Sequence, residues 1–305
     1  MSRAVIYQTH GGPEVLQLRD VPEPQAGPGE VRVRVTVAAL NPMDWGIMRS
    51  AQRAAMFGLG VPAGFGYDFA GVVDQAGPGA EGFAAGDRVF GGALARAVAD
   101  HVVLKAPAVW PDALWLTPDG IGDEVAATLP VAGMTAAAAL ATVGLRAGDT
   151  VLIGGAAGGV GVFAVQLAAL AGARVIGTAA EGTFPFLREL GAEAVTYGPG
   201  LAGRVPAGVT AAIDLFGTET ALAALELGVP AGRIATVAAG PNPPGGVRAT
   251  GGSDAAPDEM GRLVEAVLSK RLTVPIAATF PVERVRAAVH RQMDRHVHGK
   301  VVVTL

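Results

Sequence analysis

The chain has 305 residues, half of them hydrophobic and 16% charged. That is the length of roughly two domains and too apolar for a disordered chain. Lys and Arg number 23 against 27 Asp and Glu, a formal net charge of −4, which leaves no broad basic face for nucleic acid. There is no cysteine, so disulfides, thiolate nucleophiles and cysteine-ligated zinc are excluded.

The N-terminal residues turn polar by Gln8 and lack the apolar core of a signal peptide, so a cytoplasmic protein is expected. Residues 125–145 and 151–173 carry no charge and are long enough to span a bilayer. Pro130, Gly133 and many alanines interrupt the first, and a glycine cluster the second. Both are expected to be buried elements of a water-soluble core, with no membrane partner.

In chain order, the first 105 residues read as strands and turns. Residues 31–37 alternate with period two, as a half-buried strand does. Shorter β-rich runs cover 4–8, 15–18, 71–74, 88–90 and 101–104, separated by Pro/Gly turns. This pattern predicts a small barrel rather than βαβ units. From Asp123 the style changes. A helical stretch is expected through Val143, then a buried strand over 150–153, a glycine turn, a helix over 160–171 and a strand over 174–178. A helix over 185–190 and strands over 194–197, 211–216 and 233–238 follow. Strands alternating with helices predict an α/β, doubly wound parallel sheet, the Rossmann arrangement. Residues 240–257 read as loop, 259–272 and 283–293 as helices, and 300–305 as a last strand.

The most informative segment is Gly154-Gly155-Ala156-Ala157-Gly158-Gly159-Val160-Gly161. A strand runs into a glycine turn that opens a helix, and the backbone N–H groups there can hold a pyrophosphate. Gly158 lets the backbone approach the phosphates, and Gly161 lets the helix pack close. Ala156 stands where G-x-G-x-x-G has its first glycine. The second strand ends without an acid to bind a ribose hydroxyl pair, although Glu181 lies in the loop beyond. Thr178 leaves room for a 2′-phosphate, while no Lys or Arg lies between Gly177 and Thr183. NADPH is favoured over NADH.

Several motifs stand in order along nearly the whole chain. They are Gly11-Gly12-Pro13-Glu14-Val15-Leu16, Asn41-Pro42-Met43-Asp44, Gly66-Tyr67-Asp68-Phe69-Ala70-Gly71, Gly86-Asp87-Arg88-Val89, Leu129-Pro130-Val131-Ala132-Gly133-Met134-Thr135-Ala136 and His298-Gly299-Lys300-Val301-Val302. With them the chain resembles the zinc-free quinone oxidoreductases of the medium-chain dehydrogenase/reductase superfamily. The resemblance implies a GroES-like β-barrel domain from residues 1–122 and 258–305, with the Rossmann domain, residues 123–257, between them. It also implies a homodimer and NADPH-dependent reduction of a quinone or an α,β-unsaturated carbonyl. Zinc-bearing relatives hold metal ligands at the positions of Asn41 and Tyr67, so no zinc is expected here. Carried over, Asn41 lies near the nicotinamide and the substrate carbonyl, and Thr135 beside the cofactor. Gly158, Gly159 and Val160 hold the pyrophosphate, Thr178 and Tyr197 flank the adenosine ribose, and Phe216 and Gly217 border the adenosine side. Val237, Ala238 and Ala239 line the nicotinamide amide through backbone groups. Two departures stand out: many relatives have Lys where this chain has Thr183, and many quinone reductases have Tyr where it has Gly46. Thr183 is expected to cap the helix near Pro185, and Trp45 to fill part of the space at Gly46.

Hydride transfer needs orientation and a stabilised oxyanion. Asn41 and Tyr67 are the donors expected to polarise the acceptor, with Tyr67 also able to supply a proton. The alternatives are a turn residue before Pro42 for Asn41, and a packed ring bonded to backbone for Tyr67. Asp44, Asp68 and Asp214 are read as structural carboxylates, and Trp45, Phe65 and Phe69 as cleft or core aromatics. A polyketide-tailoring enoyl reductase, a redox-neutral catalyst on the same scaffold and an NADPH-binding regulator remain as other readings, because fold alone does not choose among them.

Overall fold

A computed structural model describes residues 1–240, 242–294 and 296–305. Pro241, inside the loop expected over 240–257, lies outside the described residues. The chain divides into two units, Met1–Val131 with Ile276–Leu305, and Ala132–Pro275.

The first unit opens with strands β1 (Ser2–Tyr7) and β2 (Gln17–Val21), paired antiparallel. The long strand β3 (Glu30–Leu40) follows. Its period-two pattern buries Val31, Val33 and Val35, which pack with Phe69, Val73, Val89, Val102 and Leu104. Next come helices α1 (Pro42–Arg49) and α2 (Ala51–Met56), joined through Ser50. The Ser50 hydroxyl accepts the Arg53 N–H at 3.2 Å, an N-cap that starts the second helix. Strands β4 (Ala63–Gly64), β5 (Asp68–Ala76), β6 (Arg88–Gly92), β7 (His101–Lys105) and β8 (Ala113–Leu116) complete the antiparallel part. The strands expected over 71–74 and 88–90 are each longer, and β8, between Pro111 and Pro118, is one the sequence reading missed. The segment ends in the short helix α3 (Asp123–Ala126).

The helix expected from Asp123 through Val143 is broken. Pro130 has no N–H for the helical ladder, and the chain passes through a wide turn over Leu129–Gly133 before helix α4 (Met134–Thr142). Five regular strands of the second unit then alternate with helices: β9 (Thr150–Gly154), α5 (Gly161–Leu170), β10 (Arg174–Ala179), α6 (Phe184–Glu189), β11 (Ala192–Thr196), α7 (Leu201–Arg204), β12 (Ala211–Asp214), α8 (Glu219–Glu226) and β13 (Ile234–Thr236). A sixth strand, β14 (Arg248–Ala249), lies in the stretch expected to be loop only. The parallel sheet runs β11-β10-β9-β12-β13-β14. Its order reverses between β9 and β12, where such sheets place their ligands, beyond the strands' carboxyl ends. Helix α9 (Glu259–Leu268) closes the unit.

The chain then returns to the first unit. Strand β15 (Ile276–Pro281), helix α10 (Val285–Met293) and strand β16 (Lys300–Thr304) follow, with β16 antiparallel to β3 and parallel to β15. Val301 and Val303 join Leu40, Met48, Phe65 and Val289 in one core cluster.

The domain boundaries expected at 122/123 and 257/258 fall instead at 131/132 and 275/276. Asp123 stays with the barrel because Thr36 Oγ1 and Arg88 donate to its carboxylate at 2.7 and 2.6 Å. Helix α9 stays with the parallel sheet. Leu263 packs over Gly133, and Gln166 exchanges hydrogen bonds of 2.8 and 2.9 Å with the backbone of Thr273. Among the described residues no helix is long and apolar enough to cross a membrane.

Candidate functional site

The glycine turn lies at the reversal point of the parallel sheet. Gly155 takes φ +69°, a left-handed conformation that favours glycine. Gly161 is required for space: a Cβ there would stand 2.3 Å from the Gly155 carbonyl oxygen and 2.4 Å from that of Ala156. The close approach it permits is thus to its own turn. Ala156, at the first glycine position of the motif, is buried, and its methyl fills the place where a Gly177 side chain would stand. Gly158, Gly159 and Val160 are half-exposed at the start of the ten-residue helix α5. Their backbone, with the helix dipole behind it, fits a pyrophosphate.

The neighbouring residues are held by buried polar side chains. Thr178 accepts the Gly155 N–H at 3.2 Å, so its hydroxyl steadies the turn. The Asp214 carboxylate is buried and accepts from the N–H groups of Phe216, Gly217 and Ala221 at 3.0, 2.9 and 3.0 Å. It ends β12 two residues before the expected strand does, and leaves the Phe216 ring exposed. Thr236 Oγ1 similarly accepts from Ala238 and Ala239, at 3.3 and 3.1 Å, and the Val237 N–H goes to the Asp214 carbonyl. The N–H groups of Val237, Ala238 and Ala239 are therefore engaged within the unit, which leaves amide recognition there to carbonyl oxygens. Thr135 is buried on α4, facing Gly252. Thr183 is buried at the N-cap position of α6 but makes no side-chain cap bond, contrary to the role expected of it. Tyr197 follows β11, half-exposed.

In the other unit, Asn41 is the centre of a buried network. Its Nδ2 donates to Asp68 Oδ2 at 2.8 Å, and its Oδ1 accepts from Lys300 Nζ at 2.6 Å. Lys300 also donates to the Leu40 carbonyl at 3.2 Å and lies 4.0 Å from Asp68. Asp44 accepts the Asn41 backbone N–H at 2.8 Å, and Asp68 accepts that of Val131 at 3.1 Å. Burial pushes the Asp44 carboxyl up to about 8 and the Asp68 carboxyl up to about 7, and it lowers Lys300. The Tyr67 hydroxyl donates to the Pro111 carbonyl at 2.6 Å, and burial raises its pKa.

In this geometry both members of the expected catalytic pair are engaged within their own unit. The Asn41 amide is spent on Asp68 and Lys300, and the Tyr67 hydroxyl on backbone, so neither presents an uncommitted donor. Phe65 and Phe69 are fully buried in the barrel unit. The Trp45 indole N–H donates to Gln292 at 3.0 Å, and the guanidinium of Arg53 stands over Gly46. The residues that sequence reasoning missed are Lys300 and Thr236. Lys300 carried a signal, a lone cation opening the apolar run of β16.

The donor set does not fit zinc. Among the described residues no three His, Cys, Asp or Glu side chains are placed to share a metal ion. The Asn41 oxygen is already bonded to a buried ammonium, and a phenol held above its ordinary pKa is a poor metal ligand.

A parallel sheet in this order, with a glycine turn at its reversal, defines a Rossmann-type nucleotide-binding unit, joined in one chain to a β-barrel. Residues 27–108 match the alcohol dehydrogenase GroES-like domain, and residues 190–303 match the zinc-binding dehydrogenase family. The chain is 37% identical over 182 residues to a quinone oxidoreductase of Pseudomonas aeruginosa, which covers 58% of this chain and 53% of that one. It is 34% identical over 97% of its length to a spectinabilin polyketide synthase system protein of Streptomyces orinoci, and covers 14% of that protein. The chain thus spans about half or less of these curated relatives. A solved NAD-dependent alcohol dehydrogenase superposes with TM-score 0.86 at 30% identity, each chain covered to 99%. A mycobacterial structure complexed with NADPH superposes with TM-score 0.86 at 28% identity, each chain covered completely. The chain belongs to the medium-chain dehydrogenase/reductase superfamily.

Proposed function

We propose that this chain is a reductase that transfers hydride from NADPH to a quinone or an α,β-unsaturated carbonyl. The observation that carries the reading is the half-exposed backbone of Gly158, Gly159 and Val160 at the start of α5, on the reversal point of a six-stranded parallel sheet. Bound there, the nicotinamide cofactor supplies the hydride. The protein's part is orientation. Gly161 lets the turn close, Thr178 and Asp214 fix its two flanks, and Thr236 sets the course of residues 237–239. With Asn41 and Tyr67 committed internally, we assign them to holding the barrel unit together rather than to proton transfer.

The NADPH complex of a 28% identical structure and the quinone oxidoreductase name of a relative support this reading. A 28% identical NADPH-dependent alkenal/one oxidoreductase of Arabidopsis thaliana, matched over 99% of this chain and 79% of that one, supports enones as acceptors alongside quinones. The test is NADPH oxidation at 340 nm with a quinone panel and an enone panel, with product identified by mass. Turnover with either class upholds the reading. NADPH binding without oxidation by any acceptor defeats it in favour of a regulator, and product formation without NADPH consumption defeats it in favour of a redox-neutral catalyst. Tyr67→Phe is expected to keep most of the wild-type kcat.

A further inference from the structure

The charge that would recognise a 2′-phosphate is missing from its usual stretch. Glu181 is exposed just beyond β10, and no cation lies between Gly177 and Thr183. A phosphate monoester carries about −1.5 to −2 charges at neutral pH, so selection of NADPH requires a cation from elsewhere. Between residues 174 and 204 the only cations are Arg174, Arg188 and Arg204. Arg174 opens β10, at the far end of that strand from the glycine turn, and pairs with Glu193 at 2.7 Å. The Arg188 guanidinium stacks over the Phe184 ring, 5.9 Å from its centroid.

Arg204 is placed differently. Its Nε donates to the Thr196 carbonyl at 3.1 Å, its Nη2 to Gly198 at 2.7 Å and its Nη1 to Pro199 at 2.8 Å. The guanidinium is therefore locked against the loop that carries Tyr197, bonded on both sides of that residue. Three of its five N–H donors are used in this way and two remain. Strands β10 and β11 are parallel neighbours with Ala179 opposite Thr196. Residues leaving their carboxyl ends stand about one strand spacing, ~4.8 Å, apart. The fold thus brings Arg204 one strand over from the end of β10, which is where a sheet of this order receives the adenosine ribose.

We infer that Arg204, together with the half-exposed Tyr197, forms the 2′-phosphate seat of this chain and makes it select NADPH over NADH. The inference rests on the reductase reading above and adds a specificity residue to it. Three hydrogen bonds hold the guanidinium in place before any ligand arrives, so little side-chain freedom is lost on binding.

The test is a fluorescence or calorimetric titration of the full chain with NADPH, NADH, 2′,5′-ADP and 5′-ADP. Wild type should bind NADPH and 2′,5′-ADP more tightly than their partners, with a preference that weakens as salt is raised. Arg204→Gln should weaken NADPH and 2′,5′-ADP by about tenfold or more while NADH changes by less than about twofold, as loss of a charge-assisted bond implies. Arg204→Lys should keep part of the preference, because it retains the charge without the loop bonds, and Arg188→Gln should keep all of it. A melting curve of each variant separates loss of the seat from loss of the fold. The inference is overturned if Arg204→Gln weakens both nicotinamides together or neither, if Arg188→Gln abolishes the preference, or if wild type prefers NADH. Turnover with NADH alone would sink this inference and spare hydride transfer; binding of neither cofactor would sink both.

Discussion

Lys300→Met removes the only ammonium from a network that holds two buried carboxylates. Lys300 is 2% exposed, and its Nζ donates at 2.6 Å to Asn41 and at 3.2 Å to the Leu40 carbonyl, 4.0 Å from Asp68. Methionine keeps the apolar stem of the side chain out to Cε, so the loss is mainly polar. Removing one partner of a buried ion pair costs about 3–5 kcal/mol, whereas a hydrogen bond to a charged group alone contributes about 1.5–3 kcal/mol. Which figure applies depends on pH. Asp68 titrates near 7 in the folded chain. At pH 8.5 it is ionised and the Lys300→Met variant would leave it uncompensated, so the larger loss is expected. At pH 5.5 it is protonated, and only the bonds to Asn41 and Leu40 are lost. The destabilisation should therefore grow by about 2 kcal/mol between the two pH values. Urea unfolding followed by tryptophan fluorescence suits the question, because Trp45, Trp110 and Trp115 all lie in the unit that contains Lys300. In an Asp68→Asn background the pH dependence of the loss should shrink to the part that Asp44 contributes near pH 8. A loss below about 1 kcal/mol at both pH values, or an equal loss at both, would refute the reasoning.

Three further outcomes follow from single groups. Asp44 keeps its proton in the folded chain to about pH 8 but loses it near 3.8 when unfolded, so the folded state binds the extra proton throughout that window. Stability should fall as pH rises from about 4 to 8 and level off above, and Asp44→Asn should flatten part of the slope; a slope unchanged in the variant would remove Asp44 from the account. Gly161→Ala places a methyl 2.3 Å from the Gly155 oxygen. It should weaken NADPH by more than about tenfold and lower stability by about 1–3 kcal/mol, and wild-type binding in that variant would show that the turn is not the cofactor seat. The Tyr7 hydroxyl is buried and meets no hydrogen-bond partner among the described residues. Tyr7→Phe should leave stability unchanged or raise it by up to about 1 kcal/mol in thermal melts, and a loss of more than that would mean the hydroxyl is satisfied.

What could be read from the sequence divides along the distance over which each feature is determined. Strand β3 is legible because alternation within one segment decides which side chains enter the core, and the glycine turn because strand, turn and helix are contiguous. The ends of elements were less legible, because distant or side-chain groups terminate them. Asp214 stops β12 by capturing three N–H groups, and Thr236 stops β13 by capturing two. The barrel's boundary moved from 122 to 131 because Asp123 is claimed by Thr36 and Arg88, partners 87 and 35 residues away. The two site readings that changed most have the same origin. Asn41 looked like an available donor, but its Nδ2 is taken by Asp68, 27 residues along the chain, and its Oδ1 accepts from Lys300, 259 residues along. The phosphate seat looked uncharged because Arg204 is 21 residues beyond Thr183. A motif gives the residue type at a position, but whether that residue faces a ligand or a neighbour depends on what the fold brings to it. In this chain the fold supplies a lysine that occupies the Asn41 amide and an arginine that can replace the absent lysine.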